Sequence, residues 1–210
     1  MTTVGIFGAS GFAREVADVA EDQGHSPVLI ARDQAELDGW TFGGEIILED
    51  DIARYPDMVF SIGIGENEVR ERVARRHADR PFLTLIHSSA TFGRRQREAI
   101  EERSGIIVCA GVRFTNNITV GDFSVFDQNA TIAHDVIAEE YVHVAPGACI
   151  SGNVHLGRGC WIGTGAAINQ GDATHKLTVG ERTIVGSGAV VAKDCDPDAV
   201  YVGVPARRIR

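Results

Sequence analysis

Two adjacent side chains in the second half of the chain, His134 and Asp135, are suited to proton transfer. A histidine ring accepts a proton near neutral pH, and a neighbouring carboxylate can orient the ring and raise its basicity. His134 takes the fifth place of the block Ala-Thr-Ile-Ala-His-Asp, where a polar ring can lie outside the core. We therefore expect His134 to act as a general base with Asp135 as its orienting partner, against the alternative of an ordinary surface histidine.

A glycine-containing turn near the N-terminus has the composition of a phosphate-binding loop. The run Gly-Ala-Ser-Gly-Phe-Ala at residues 8–13 follows a short apolar segment and precedes one with helical spacing. Its backbone amides would therefore meet a pyrophosphate at a helix N-terminus. The match to the dinucleotide motif is incomplete, because Ala13 stands where the third glycine would fall. Asp33, after the second apolar segment, keeps NAD(P) binding open as an alternative.

The element that positions His134 is a six-residue repeat that begins at residue 112. A period of six excludes an α-helix, whose period is about 3.6 residues, and predicts a β prism with a turn-forming residue at each corner. The third place of each block is expected to point along the axis of the prism. It is apolar thirteen times in register, at Phe114, Val120, Phe126, Ile132, Ala138, Val144, Ile150, Leu156, Ile162, Ile168, Val179, Val185 and Val191.

One coil of such a prism takes three blocks, or about 18 residues. His143 lies nine residues after His134, which is half a coil, so the two rings of one chain point in different directions. They can share a site only if His143 comes from a neighbouring subunit, which predicts an inactive monomer. A five-residue insertion at 172–176 interrupts the period. We expect it to place Lys176 against a phosphate, with His175 covering the site, or to be a plain surface loop.

The first part of the chain has a different pattern. Apolar runs alternate with segments of helical spacing, which predicts a small parallel sheet with helices. The strands are expected at residues 4–7, 27–30 and 58–62, and the helices at 12–23 and 68–78. We therefore predict an α/β domain over 1–85 and an all-β domain over 86–210, with the charged stretch 93–104 as a solvated loop or short helix outside the prism.

Composition excludes several classes of protein. The 20 basic and 29 acidic residues give a net charge of −9, which provides no electrostatic attraction to DNA or RNA. No apolar run approaches the ~18 residues that cross a bilayer, and the N-terminus has no signal-peptide pattern. The cysteines have no metal-binding spacing, so we expect no metal site. These features favour a soluble, cytoplasmic protein with reduced thiols.

Four motifs occur in a fixed order: the Gly-Ala-Ser-Gly turn, Gly-Glu-Asn-Glu-Val-Arg at 65–70, His-Ser-Ser-Ala at 87–90, and the closing Val-Gly-Val-Pro-Ala-Arg at 202–207. The hexapeptide pattern resembles the bacterial transferase hexapeptide superfamily. The complete series resembles the sugar O-/N-acetyltransferases of the sialic-acid O-acetyltransferase type, which include N-acetyltransferases of nucleotide-linked 4-amino sugars. The resemblance covers nearly the whole chain.

The resemblance implies a Rossmann-like nucleotide-sugar-binding domain over 1–85 and a left-handed parallel β-helix over 86–210. It also implies a homotrimer with active sites between subunits, acetyl-CoA as co-substrate, and His134 as the base of an Ile-x-His-Asp motif. The implied acetyl-CoA contacts are His143, Gly152, Gly163, Thr164, Gly186 and Ser187. The implied nucleotide-sugar contacts are Ser10, Gly11, Phe12, Arg32, Asp33 and Gly65. Phe12, Ser187 and Asp127 depart from the family pattern, in which His, Gly and Asn occur there.

The function expected from these residues and from the resemblance is N-acetylation of a nucleotide-linked amino sugar by direct transfer from acetyl-CoA. O-acetylation of a sialic acid or related sugar is the first alternative. A non-catalytic trimeric scaffold that binds a sugar nucleotide is the second, and a nicotinamide oxidoreductase is the third.

Overall fold

The N-terminal part of the molecule is a parallel sheet with helices on both faces. A computed structural model describes residues 2–210. The strands of this sheet are β1 (Thr3–Phe7), β2 (Ser26–Ala31), β3 (Ile46–Leu48) and β4 (Val59–Ile62), in the order β3-β2-β1-β4. The helices are α1 (Gly11–Asp22), α2 (Gln34–Asp38) and α3 (Asn67–Arg76), with a 3₁₀ helix at Glu49–Arg54. The predicted strands and long helices are confirmed, whereas β3, α2 and the 3₁₀ helix were not predicted.

The order of the strands creates a crevice at one edge of this sheet. From β1 the chain crosses through α1 to β2 on one side, whereas β4 lies on the other side of β1. Helix α1 packs with Val4 and Ile6, and Ala74 of α3 packs with Phe7 and Ile62 on the opposite face. A ligand crevice forms at such a switch point, outside the carboxyl ends of the strands.

The rest of the chain forms a left-handed parallel β-helix with three faces. Face I contains β5 (Leu85–Ile86), β7 (Ile107–Val108), β10 (Val125–Phe126), β13 (His143–Val144), β16 (Trp161–Ile162), β19 (Ile184–Val185), β21 (Val200–Val202) and β22 (Arg207–Arg208). Face II contains β6 (Thr91–Phe92), β8 (Arg113–Phe114), β11 (Thr131–Ile132), β14 (Cys149–Ile150), β17 (Ala167–Ile168) and β20 (Val190–Val191). Face III contains β9 (Thr119–Val120), β12 (Ile137–Ala138), β15 (Val154–Leu156) and β18 (Leu177–Val179).

The six-residue repeat of the sequence accounts for this geometry. All thirteen third-place residues are buried, at 4% exposure or less, and stack along the axis. Strand partners lie one coil apart, so Val125 pairs with His143 and His143 with Trp161. A left-handed residue recurs every sixth position from Gly105 to Gly165, and glycine, asparagine or aspartate fills most of these corners. Those residue types adopt positive φ at the lowest cost.

The charged stretch 93–104 closes the first coil. It contains α4 (Gln96–Glu101), so the prediction of a short helix is confirmed, but the helix is not a separate solvated element. Ile100 is 1% exposed and belongs to the β-helix core. The buried side chain of Gln96 accepts from the Ile118 amide and donates to the Ile118 carbonyl, which satisfies backbone groups at the open end of the coil.

The two domains pack through face I. Val4, Ile6 and helix α1 contact a patch that includes Ile107 and Val125. Beside this patch, α3 meets the corner between faces III and I through Arg70, whose guanidinium is fully buried. Its five N–H groups donate, at 2.7 to 3.1 Å, to the carbonyl oxygens of Phe123, Ile64, Gly65 and Tyr141 and to the side-chain oxygen of Asn67. The motif at 65–70 is thus an interdomain contact.

Burial sets the electrostatics of this contact. It lowers the pKa of Arg70 to about 9, and the negative charge of Asp127 acts in the opposite direction. The group therefore stays cationic at pH 7, and its donors must remain paired because an unpaired buried charge is strongly destabilising.

Within the described residues, 2–210, no helix is long and apolar enough to cross a bilayer.

Candidate active site

His134 and Asp135 form a hydrogen-bonded pair at the corner between faces II and III. The distance from His134 Nδ1 to Asp135 Oδ2 is 2.7 Å, and 54% of the His134 side chain is exposed. Asp135 takes the left-handed corner position, with φ 61°, and its other carboxylate oxygen accepts from Asn117 one coil earlier. The hydrogen bonds from Asn117 and His134 hold the pKa of Asp135 below its ordinary value, so the carboxylate is ionised at neutral pH.

This pairing fixes the tautomer of the His134 ring. An ionised carboxylate can only accept, so Nδ1 carries a proton and Nε2 carries a lone pair. Across the part of the chain that the structure describes, no group hydrogen-bonds to Nε2. The exposed nitrogen is therefore available to take a proton from an incoming nucleophile, which is the geometry required of a general base.

Gly152 makes the space that the His134 ring occupies. A Cβ added at Gly152 would lie 2.5 Å from both Cε1 and Nε2 of that ring. Gly152 follows β14 one coil after the histidine and belongs to the same corner. The resemblance implied that this glycine lets the pantetheine arm approach the backbone, and the structure adds that it positions the ring itself.

The insertion folds onto the same corner. Asp172 Oδ1 accepts from the amides of Thr174 and His175, and His175 Nε2 lies 2.9 Å from Asp194 Oδ2. Lys176 Nζ donates to the backbone carbonyl of Asp135. The loop is therefore tied to the His134 pair, and Lys176 is already engaged by the protein. This bond uses one of the three donors of the ammonium, and a contact of Lys176 with a phosphate stays a prediction.

His143 lies in a different environment from His134. Its side chain is 3% exposed, and its ring stacks on Trp161 with centroids 3.9 Å apart. Nδ1 is 2.9 Å from the Gly65 carbonyl oxygen, and Nε2 is 2.8 Å from Asp127 Oδ2. A carbonyl oxygen only accepts, so Nδ1 carries a proton and donates to Gly65, while Nε2 lies within hydrogen-bond distance of the Asp127 carboxyl group. Both ring nitrogens are thus engaged within one chain, and the contact of His143 with acetyl-CoA stays a prediction.

The other predicted acetyl-CoA contacts lie at the corner between faces I and II. Gly163 and Thr164 follow β16, and Gly186 and Ser187 follow β19 one coil later. A Cβ at Gly163 would lie 2.6 Å from the Ser187 amide nitrogen, so the glycine permits these two coils to stack. The predicted acetyl-CoA residues of one chain therefore occupy two different corners. Gly152 lies beside His134 at the corner between faces II and III, and the four residues named above lie at the corner between faces I and II.

The crevice of the N-terminal domain holds a cavity of about 530 Å³. Three predicted nucleotide-sugar contacts, Ser10, Arg32 and Gly65, line it. The remaining lining residues are Phe7, Gly8, Ala9, Ile30, Glu36, Glu49, Ile64, Glu66, Val69, Arg72, Val73 and Arg76. The cavity lies at the carboxyl ends of β1, β2 and β4, where a nucleotide is expected in an open α/β sheet.

The other three predicted contacts do not line this cavity. Gly11 is the first residue of α1, and Phe12 packs against the α1 core with its ring 6.1 Å from that of His143. Asp33 caps α2 by accepting from the Glu36 amide at 3.0 Å, and it also accepts from Arg32. These bonds lower the pKa of Asp33. The side chain is still 45% exposed and its carboxylate has acceptor sites left, so its contact with a ligand stays a prediction.

Helix α3 contributes a wall of the cavity that was not predicted from the sequence. Val69, Arg72, Val73 and Arg76 are spaced as neighbours on one helical face. The helical spacing immediately after Gly65 could have indicated this wall. The same spacing is also typical of a helix face that packs against a protein core. Within residues 2–210, no cluster of three or more His, Cys, Asp and Glu side chains could hold a metal ion.

The base and the cavity of one chain lie on opposite sides of the β-helix. The N-terminal domain covers face I, from Arg70 at one of its corners to Asp22 at the other, where Asp22 accepts from Ser88. His134 lies at the corner between faces II and III, which is the vertex opposite face I. Within one chain, His134 therefore lies on the side of the β-helix that faces away from the cavity.

A hexapeptide-repeat β-helix with a histidine–aspartate pair at one corner and a Rossmann-like crevice on the opposite face is the architecture of a hexapeptide-repeat acyltransferase with an attached ligand-binding domain. Residues 3–77 match the model of the PglD N-terminal domain. Over 190 residues the chain is 28% identical to the GDP-perosamine N-acetyltransferase of Escherichia coli O157:H7, covering 86% of this chain and 84% of the relative. The chain belongs to this family of hexapeptide-repeat sugar acetyltransferases.

Solved structures resemble the whole chain. WeeI from Acinetobacter baumannii AYE is 30% identical with a TM-score of 0.86, and the match covers 100% of both chains. PerB from Caulobacter crescentus, in complex with CoA and GDP-perosamine, is 25% identical with a TM-score of 0.83 over 100% of this chain and 98% of that one. The acetyltransferase domain of PglB from Neisseria gonorrhoeae FA1090 is 26% identical with a TM-score of 0.84, covering 100% of both.

Proposed function

We propose that the protein transfers the acetyl group of acetyl-CoA to the amino group of a nucleotide-linked amino sugar. The observation that carries this proposal is the exposed Nε2 of His134, held as a proton acceptor by the ionised Asp135. The relatives that act on or bind GDP-perosamine support an amino sugar as acceptor. The CoA in the PerB complex supports acetyl-CoA as donor, and acetyl-CoA as donor favours a cytoplasmic enzyme.

The reaction is a direct transfer. The amine of the sugar attacks the thioester carbonyl carbon, and His134 Nε2 removes a proton from the nitrogen as the C–N bond forms. The tetrahedral intermediate then expels the CoA sulfur, the C–S bond breaks, and the proton passes from the imidazolium to the thiolate. Asp135 acts as a positioning residue that stabilises the imidazolium while it exists. General base catalysis of this kind contributes roughly 10²- to 10⁴-fold in rate.

The site is proposed to lie between subunits of a homotrimer. His134 of one chain would face the sugar nucleotide held by a neighbouring chain, since its own cavity lies on the opposite side of the β-helix. The same arrangement would unite the two corners that carry the predicted acetyl-CoA residues. Gly152 would come from the chain that supplies His134, and Gly163, Thr164, Gly186 and Ser187 from its neighbour.

Release of CoA thiol from acetyl-CoA, with GDP-, UDP- and dTDP-linked 4-amino sugars as acceptors, tests the reaction. We expect turnover on a nucleotide amino sugar, and a loss of about 10²- to 10⁴-fold in kcat for His134→Ala with little change in KM for acetyl-CoA. Turnover only on hydroxyl acceptors would replace N-acetylation by O-acetylation. If the protein binds acetyl-CoA tightly but shows no turnover, and His134→Ala leaves this binding unchanged, the result would indicate a non-catalytic scaffold.

Subunit mixing tests the shared site. Two inactive variants, His134→Ala and a second one that disables the nucleotide cavity, are unfolded together and refolded as mixed oligomers. An intersubunit site restores activity, because some interfaces then pair an intact base with an intact cavity. A site within one chain gives none, because every chain carries one defect.

A further inference from the structure

Three arginines line the cavity of the N-terminal domain, and they differ in whether a carboxylate of the protein pairs with the guanidinium. Arg32 pairs with Asp33 at 3.0 Å and with Glu36 at 3.4 Å. Arg76 pairs with Glu49 at 3.2 Å. Arg72 lines the same cavity, but none of the side-chain hydrogen bonds or ion pairs within residues 2–210 involves it. A cation without a partner in a cavity is available to a ligand.

We propose that Arg72 is a binding residue for the diphosphate of the sugar nucleotide. This inference rests on the proposed function, and it adds a specific cation to a cavity whose other arginines are neutralised by carboxylates. A guanidinium presents a planar fork that matches two phosphate oxygens, and charge-assisted hydrogen bonds of this type are stronger than neutral ones. The ligand class that this arrangement favours is a phosphorylated nucleoside rather than a nucleoside or a free sugar.

The position of Arg72 in α3 makes it suited to this role. It lies one turn beyond Val69, and the apolar side chains Val69, Val73 and Ile64 provide the wall beside it. Ser10 lines the cavity from the start of α1, which packs on the other face of the sheet. A diphosphate in the crevice is therefore held from α3 by a charge and from the β1–α1 turn by backbone amides.

Two other arginines on α3 provide matched controls. Arg75 pairs with Glu71, its side chain is 72% exposed, and it does not line the cavity. Arg76 lines the cavity but is held by Glu49. All three variants, Arg72→Ala, Arg75→Ala and Arg76→Ala, remove a guanidinium from the same helix. They differ in whether that guanidinium is both unpaired and inside the cavity.

The experiment is calorimetric titration of the full-length protein with GDP, UDP, GMP, UMP and the two nucleosides, in the absence of acetyl-CoA. For Arg72→Ala we expect the Kd of the diphosphate that binds to rise about tenfold or more, with the Kd of the nucleoside unchanged. Arg72→Lys should recover part of the affinity, since it restores the charge without the fork. Arg75→Ala should bind like the wild type, and Arg76→Ala should show a smaller loss than Arg72→Ala.

An equal loss of affinity for nucleoside and diphosphate would overturn the proposal, because Arg72 would then contact the base or ribose. An unchanged Kd for the diphosphate would overturn it as well. Failure of the proposed function is distinguishable, since the wild-type protein itself would then bind no nucleoside diphosphate. Equal melting temperatures of the wild type and Arg72→Ala show that a changed Kd does not arise from misfolding.

Discussion

Replacing Gly152 by alanine is expected to separate activity from stability. The new Cβ would lie 2.5 Å from Cε1 and Nε2 of the His134 ring. Comfortable contact between such atoms is about 3.5 to 4.0 Å, so the ring must retreat by about 1 Å. The ring can do so because 54% of the side chain is exposed. The displacement moves Nε2 away from the nucleophile and strains the bond to Asp135.

We expect Gly152→Ala to lower kcat. A misplacement of about 1 Å in a catalytic group can cost roughly 10²-fold in kcat, or about 2.7 kcal/mol of transition-state stabilisation. Stability should change little, since Gly152 has no positive φ and the three atoms nearest to the new Cβ belong to a movable side chain. The assay is thiol release at saturating substrates, combined with thermal unfolding of the same preparations.

Gly147→Ala is the matched control. Nothing lies within 4 Å of its new Cβ, but Gly147 has φ 67°, so alanine there is strained. We expect this variant to lose roughly 1 kcal/mol of stability and to keep its activity per folded molecule. Wild-type kcat in Gly152→Ala would refute the placement of the His134 ring. A large loss of stability in Gly152→Ala would show that the ring cannot move as described.

Arg70→Ala should destabilise the protein by about 3 to 5 kcal/mol in denaturant unfolding, because four backbone carbonyls each lose a bond from the buried guanidinium, whereas Arg75→Ala on the same helix should change stability by less than about 0.5 kcal/mol. Asn117→Ala should raise the pKa of Asp135 toward its ordinary value, so that in a carbon NMR titration this carboxyl protonates at higher pH than in the wild type. The stability that the lowered pKa provides is fully present above about pH 4 and is lost as the pH falls through the folded-state pKa, and the variant should have less of this stability above pH 4. Lys176→Ala should lower kcat severalfold and leave KM for acetyl-CoA unchanged, whereas a phosphate contact would raise KM instead.

The repeat was predictable because it depends on local rules. A strict period of six places one apolar residue inward per block, and its resumption at Leu177 after the insertion follows from the same rule. The His134 pair was predictable for a similar reason, since its members are adjacent in sequence. No contact with a distant residue is needed to bring them together.

Contacts between distant residues could not be predicted. His143 meets the carbonyl of Gly65, 78 residues earlier, and Arg70 meets Tyr141, 71 residues later. These bonds depend on how the two domains pack, which no local pattern encodes. The capping role of Asp33 could not be predicted, because the helix that it caps is only five residues long and has no buried residue to reveal it.

The closure of both ends of the β-helix bears on how the protein behaves in a concentrated solution. A stack of parallel coils offers unpaired backbone groups at each end, and another molecule could add to them to form a fibre. Helix α4 covers one end with Ile100 and Gln96, and at the other the chain turns back as the antiparallel strand β22, which consists of two exposed arginines. Charged residues on an edge strand oppose such addition. Removal of residues 207–210 would leave β21 as an open template, and the truncated protein should polymerise end to end.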